Sequence, residues 1–319
     1  MAASASTSGV PTAAEVAAEA QHATDVRNPL ARATEHSLAV TGNRAVRHTL
    51  PRPARTRVMV VANQKGGVGK TTTAVNVAAA LAQHDHRVLL VDLDPQGNAS
   101  TALSIQHSEG TPGAYHVLVE KTPVADVVTE CAEVPGLFVV PATIDLAGAE
   151  IELVSLVARE NRLRTALDAY LDQTERAGER FDYVFIDCPP SLGLLTVNAL
   201  SAGRELLIPI QCEYYALEGV GQLLRTVEQI REHLNPGLRV GAIMLTMFDS
   251  RTRLAAGVAD EVRRHFGDVV LRTAVPRSVR ISEAPSYGQT VLTYDPGSSG
   301  ALSYLEAAAE LTHQPEEDA

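Results

Sequence analysis

Between Asn63 and Thr73 the chain reads NQKGGVGKTTT, with glycines at 66, 67 and 69 and two lysines, Lys65 and Lys70, five residues apart. Glycines in that density let successive backbone N–H groups curl around an anion, and a lysine followed by threonine adds an ammonium for phosphate oxygens and a hydroxyl for Mg²⁺. Gly69, Lys70 and Thr71 fit the phosphate-loop pattern G-x-x-x-x-G-K-S/T, but its first glycine would fall at position 64, where this chain has Gln64. One lysine suffices for such a loop, so Lys65 needs its own explanation. Of 27 Lys and Arg residues only Lys65, Lys70 and Lys121 are lysines. A chain that otherwise uses arginine has kept compact ammonium groups where phosphates would sit.

Two further stretches carry carboxylates suited to Mg²⁺-dependent hydrolysis. In YVFIDCPPS, Asp187 ends an apolar run, where it can hold a water of the Mg²⁺ shell; in VLLVDLDPQGN, Asp92 and Asp94 end another and share one side by the period of two. Asp94, nearer the PQGN turn, is the candidate to orient an attacking water, and Asp92 belongs to the outer sphere of the metal.

The strands and helices that carry these groups follow from the pattern after residue 57. Seven short β-branched runs, VMVVAN, VLLVDLD, LFVVPAT, YVFIDCPP, ELLIPI, VGAIMLTM and VVLRTAVP, suit strands buried on both faces. Helical stretches lie between several of them; Ala74, Val77, Ala78 and Leu81 fall on one face of the segment after the glycine loop. The alternation predicts an α/β fold, a mostly parallel twisted sheet flanked by helices, with ligands at the strand C-terminal ends. The loop then joins a strand to a helix N-terminus, the context that anion binding requires.

Composition sets the remaining bounds. At 319 residues with 45% hydrophobic and 20% charged content, the chain suits one large domain plus a tail. No apolar run approaches membrane-spanning length, and the N-terminus has neither a basic nor an apolar leader region, so a cytoplasmic protein is expected. Cys131, Cys188 and Cys212 are widely spaced and read as reduced, structural thiols. Residues 1–56, rich in Ala, Ser and Thr and ending in LPRPART, are expected to form a disordered extension, within which TAAEVAAEAQHA has helical character. The remaining divisions are a 57–314 catalytic domain and a 315–319 acidic tail.

KGGVGKTT, VDLDPQGNAS, IDCPPSLG, EYYALEG, MFDSRT and VPRSVRISEAPSYG together resemble the ParA/Soj chromosome- and plasmid-partitioning ATPases, P-loop NTPases of the deviant Walker A group, over residues 57 to 312. The resemblance implies a Mg²⁺-dependent ATP hydrolase that forms an ATP-sandwich homodimer. Nucleotide would be held by Lys65, Gly66, Gly67, Val68, Gly69, Lys70, Thr71 and Thr72, with Pro276 and its neighbours at the adenine. Where the family usually has Asn after PR, this chain has Ser278. Metal would be held by Thr71, Asp92 and Asp187, and catalysis carried by Lys65, Lys70 and Asp94. Lys70 would serve the nucleotide of its own subunit and Lys65 that of the partner, as an arginine finger does.

A net charge of -11 argues against nucleic acid only if charge is spread evenly, and it is not. Residues 249 to 280 hold seven arginines against four acids. By resemblance Arg251 and Arg280 match arginines that bind DNA phosphates without sequence preference. The implied function is ATP-dependent segregation of a chromosome or plasmid on the nucleoid, with a ParB-type centromere-binding partner. A membrane-cycling ATPase of the MinD kind would need a basic amphipathic C-terminal helix, whereas residues 281–319 contain no Lys or Arg and seven acids. A nitrogenase-reductase-like carrier would need paired cysteines, and a non-catalytic scaffold would not need the full aspartate set.

Overall fold

The computed structural model describes residues 50–214 and 216–314. The helical stretch expected within the extension and the 315–319 acidic tail lie outside the described residues. In chain order the elements are β1 (Arg57–Val61), α1 (Lys70–Gln83), β2 (Val88–Asp92), α2 (Asn98–Ala102), β3 (Thr129–Glu130), β4 (Leu137–Val140), α3 (Leu146–Glu152), α4 (Arg162–Arg176), β5 (Tyr183–Asp187), α5 (Leu194–Ala202), β6 (Glu205–Gln211), α6 (Ala216–His233), β7 (Arg239–Phe248), α7 (Arg253–Phe266), β8 (Val270–Pro276), α8 (Val279–Glu283), α9 (Val291–Tyr294) and α10 (Ser299–Thr312).

The strands form one sheet in the order β3-β4-β2-β5-β1-β6-β7-β8. Every pairing is parallel except β3 with β4. All seven strands expected from the sequence are present, and β3, two residues at the antiparallel edge, is the addition. Alternation along the strands divides the core in two. Val58, Val60, Leu89, Val91, Val184 and Ile186 face one layer, with Leu163 and Leu167 of α4 and Leu195 and Ala199 of α5. Met59, Val61, Leu90, Tyr183 and Phe185 face the other, with α1 and with Tyr304, Ala307 and Ala308 of α10. Helices on both faces explain why the central strands read as unbroken apolar runs.

The alanine-rich α1 is buried on more than one side because small side chains let it lie close to both the sheet and α10. Residues 50–56, which composition places in the extension, are tied to the domain: Leu50 packs on the core, Pro53 is buried, and Thr56 Oγ1 donates to the Phe181 carbonyl at 2.6 Å.

Register sets the site. Val61 at the end of β1 lies opposite Asp187 of β5, and Asp187 lies opposite Asp92 of β2. With β5 and β6 on either side of β1, the glycine loop leaves the sheet at its centre.

Candidate functional site

The loop is pinned before it turns. Asn63 Nδ2 donates to the Pro209 carbonyl at 2.8 Å, while its Oδ1 accepts the Lys65 N–H at 3.1 Å. From the far side, Thr246 Oγ1 of β7 donates to the Val68 carbonyl at 2.8 Å. Between these anchors Gly67 and Gly69 take φ of 73° and 87°, left-handed values that cost an L side chain strain. Gly69 is also the N-cap of α1, so the helix starts where the glycines stop. A Cβ built on Gly66 or Gly67 would meet no atom within 4 Å, so open space lies beside the bare backbone.

That space is a cavity of about 390 Å³, lined by Gly66, Gly67, Gly69, Lys70, Thr71, Thr72 and Asp94, with Asn98, Pro190 and Met247 on its walls. Lys70 is buried, and its Nζ donates to the Lys65 carbonyl at 3.4 Å. Burial pulls its pKa down, against the pull of Asp187, Cys188 and Asp94.

The three carboxylates have different surroundings. Asp92 is saturated: Oδ1 accepts the Asp94 N–H at 3.2 Å, and Oδ2 accepts the Ser100 N–H at 3.0 Å and the Ser100 hydroxyl at 2.8 Å. Burial nevertheless raises its pKa to about 6. Asp94 lines the cavity, and its Oδ1 accepts the Gln96 N–H at 3.0 Å. Asp187 is fully buried and neither oxygen has a partner within hydrogen-bonding distance among the described residues. Burial and then the charge of Asp92 push its pKa well up, and the nearby Thr71 hydroxyl and Lys70 ammonium offset this only in part. An orphaned carboxylate crowded by two others is an environment that a cation relieves, so these residues fit Mg²⁺. Open glycine backbone at a helix N-terminus with a buried lysine fits a nucleotide polyphosphate.

A second cavity of about 390 Å³ adjoins the first, sharing Gly69, Thr72, Met247 and Pro285, and is lined also by Pro276, Arg277 and Ser278. Met247 borders both with φ of 51°, a left-handed conformation in a residue with a side chain. The residue types of Met247, Thr246 and Ser100 carry no signal of these parts, since a backbone conformation, a bond to Val68 and a bond to Asp92 appear only in the folded chain.

Lys65 stands apart. It does not line the cavity, and its Nζ pairs with Glu213 Oε2 at 3.5 Å. Arg251 and Arg280 are exposed and also paired. Arg251 grips Asp249 through Nε–Oδ1 and Nη2–Oδ2 contacts, both 2.9 Å, and Arg280 lies 3.2 Å from Glu283 and 3.3 Å from Asp295. The fold therefore brings Lys70, Thr71 and Asp94 to one cavity and Pro276 and Ser278 to the next. It buries Asp92 and Asp187 at neighbouring strand ends and leaves Lys65, Arg251 and Arg280 outside.

A family model described as an AAA domain matches residues 56–240. The sporulation initiation inhibitor protein Soj of Bacillus subtilis is 51% identical over 255 residues, 80% of this chain and 98% of that protein. The chromosome partitioning protein ParA of Caulobacter vibrioides is likewise 51% identical over 255 residues, 80% of this chain and 93% of its own length. Among solved structures, a cobyrinic acid a,c-diamide synthase from Mycobacterium smegmatis with bound ADP and magnesium is 38% identical, covers 79% of this chain and 92% of its own, and superposes with a TM-score of 0.67.

Proposed function

Because this chain belongs to the ParA/Soj family of chromosome-partitioning ATPases, we propose that it is a Mg²⁺-dependent ATPase whose ATP-bound form dimerises, holds DNA without sequence preference, and drives segregation with a ParB-type partner. The observation that supports this reading is the different placement of the two loop lysines. Lys70 is buried against the cavity of its own subunit, and Lys65 lies outside that cavity on a partly exposed ion pair.

In this reading residues 57–314 form the catalytic unit. Backbone N–H groups from Gly66 to Thr72 and the Lys70 ammonium hold the phosphates, Val68 being fixed by its bond to Thr246. Thr71 and Asp187 would hold Mg²⁺, which would supply positive charge to offset that of the phosphates. Asp92 acts one layer out, holding the Asp94 backbone and Ser100 so that the turn presents Asp94 to the cavity. Asp94 accepts a hydrogen bond from the attacking water and aims it. Pro276 and Ser278 wall the adenine cavity. Lys65 leaves Glu213 and reaches the partner's phosphates, so turnover waits for dimerisation.

Arg251 and Arg280 offer DNA phosphates the sides of their guanidinium groups that the carboxylate partners leave open, and the protein acts on the nucleoid in the cytoplasm. No helix among the described residues is long and apolar enough to cross a membrane. The test is ATP hydrolysis measured with nonspecific duplex, with anionic vesicles and with neither. Stimulation by duplex alone is expected. Stimulation by vesicles alone, or no hydrolysis at all, would refute the proposal.

A further inference from the structure

At the opposite ends of the same strands lies another cavity, of about 540 Å³, formed where β1, β6 and β7 begin and α5 ends. The nucleotide cavity is at the strand C-termini, so the two are separated by the length of the sheet, roughly 16 Å for five residues of β1. Six arginines line this third cavity, Arg55, Arg57, Arg164, Arg204, Arg231 and Arg239, against only Asp168 and Glu205. A local excess of positive charge on a chain of formal charge -11 needs a reason.

Internal pairing accounts for part of the charge. Arg57 and Glu205 form a buried two-point pair, Nε to Oε1 at 2.9 Å and Nη2 to Oε2 at 2.6 Å, and the remaining Arg57 nitrogen donates to the Leu311 carbonyl at 2.8 Å. Arg239 shares the same carboxylate at 3.6 Å. Arg164 donates to the Leu234 carbonyl at 3.2 Å, and Asp168 feels both Arg164 and Arg204. The Arg55 and Arg231 side chains are exposed and make no ion pair or side-chain hydrogen bond among the described residues.

A second observation is independent of charge. Ser201, near the end of α5, lines the cavity, is 1% exposed, and its buried hydroxyl has no hydrogen-bond partner among the described residues. The neighbouring backbone is fixed, because Asn235 Nδ2 donates to the Leu200 carbonyl at 2.9 Å and to the Gly203 carbonyl at 2.6 Å. An orphaned buried donor costs stability unless something occupies the cavity and accepts from it.

We propose that this cavity binds a small phosphate-chain anion, pyrophosphate or the diphosphate of a nucleoside, with Arg55, Arg204 and Arg231 supplying charge and the Ser201 hydroxyl a donor within. Guanidinium forks match phosphate oxygens two at a time, and the volume falls within the ordinary range of small-ligand sites, roughly 300–1,000 Å³. Duplex DNA presents its phosphates on a convex cylinder, which cannot bring one of them to a hydroxyl buried inside a cavity.

The site is tested on the full chain loaded with a single equivalent of ADP and with Mg²⁺, which occupies the glycine loop and leaves no excess nucleoside diphosphate to fill the second site. Pyrophosphate and guanosine diphosphate are titrated separately by calorimetry. One further equivalent per chain is expected to bind, more tightly for guanosine diphosphate if the base adds contacts and equally for both if the phosphate chain alone is read. Arg231→Gln should weaken binding several-fold, Arg55→Glu with Arg231→Glu by about a hundredfold, and Ser201→Ala by about tenfold, each with ADP affinity unchanged. Absence of a second equivalent, or binding indifferent to Arg231, would overturn the assignment. Displacement of bound pyrophosphate by a duplex of about 20 base pairs would also overturn it and make the cluster a nucleic-acid surface.

Discussion

Asp249→Asn should tighten DNA binding. The Asp249 carboxylate holds Arg251 by two contacts of 2.9 Å, so a phosphate that engages the same guanidinium from its open side sits about 6 Å from a like charge. At the dielectric of water, repulsion over about 6 Å is slightly more than thermal energy, a factor of about three in affinity for each protomer and about ten for a dimer. Acid cannot be used to remove this charge in an assay, because hydrogen bonds from the Arg251 side chain and backbone hold the Asp249 pKa down to about 2. Asparagine can remove it, and keeps the Oδ1 that accepts the Arg251 N–H at 3.1 Å, so the turn survives. The assay is anisotropy with a labelled duplex and the ATP-bound protein over a range of salt. The gain should be near tenfold at about 0.01 M salt, where the Debye length of roughly 30 Å exceeds the separation, and should shrink to about threefold at 0.15 M. Equal affinity for wild type and variant at low salt, or a gain independent of salt, would refute a direct contact between Arg251 and a phosphate.

Arg280→Glu should weaken two unrelated duplexes equally and flatten a salt slope of roughly -4 expected from about four phosphate contacts per dimer, with ATP-driven dimerisation intact; an unaltered slope makes Arg280 an ordinary surface residue. Lys65→Ala should keep ATP binding while abolishing dimer-dependent turnover, read by size exclusion and phosphate release, and full turnover in the variant would remove the trans role. Asp94→Ala should accumulate an ATP-bound dimer that does not hydrolyse, since the phosphate and metal contacts remain; normal hydrolysis would point to another carboxylate. Asp182, buried, would be pushed up by burial, but His86, the Arg87 N–H and Arg52 outweigh this and lower its pKa. A depressed carboxylate pKa contributes stability that is present above the unfolded value near 3.9 and lost as pH falls through the folded one. Asp182→Asn should therefore lower the melting temperature at pH 7 and flatten its fall below about pH 4; an unchanged acid branch would contradict the assignment.

The nucleotide end of the molecule was legible because its signals are local. Strand, glycines and helix follow one another within two dozen residues, and a strand buried on both faces shows itself as an unbroken β-branched run. What escaped has no signal in residue type or local spacing. Two residues of β3 carry no period at all. The saturation of Asp92 depends on Ser100, eight residues on, and the strained Met247 reveals nothing in its residue type. LPRPART looks like linker by composition, yet Leu50, Pro53 and Thr56 have partners in the domain. The arginine-lined cavity draws on positions 55, 164, 204, 231 and 239, which only the parallel sheet gathers at one end.

Glu213 holds Lys65 at 3.5 Å through one oxygen while the other lies 3.6 Å from Arg277, on the wall of the cavity lined by Pro276 and Ser278. Such a half-exposed pair contributes less than about 1 kcal/mol, so it shifts the docked and released states of Lys65 by less than about fivefold. That makes it a catch of adjustable strength rather than a lock. A subunit with a firmer catch would take longer to find its partner after loading, and one with a looser catch would re-engage sooner, with no phosphate ligand altered. In the proposed cycle, the interval between release from DNA and return to it is thus tuned at one surface carboxylate, and with it the distance a subunit diffuses before landing again.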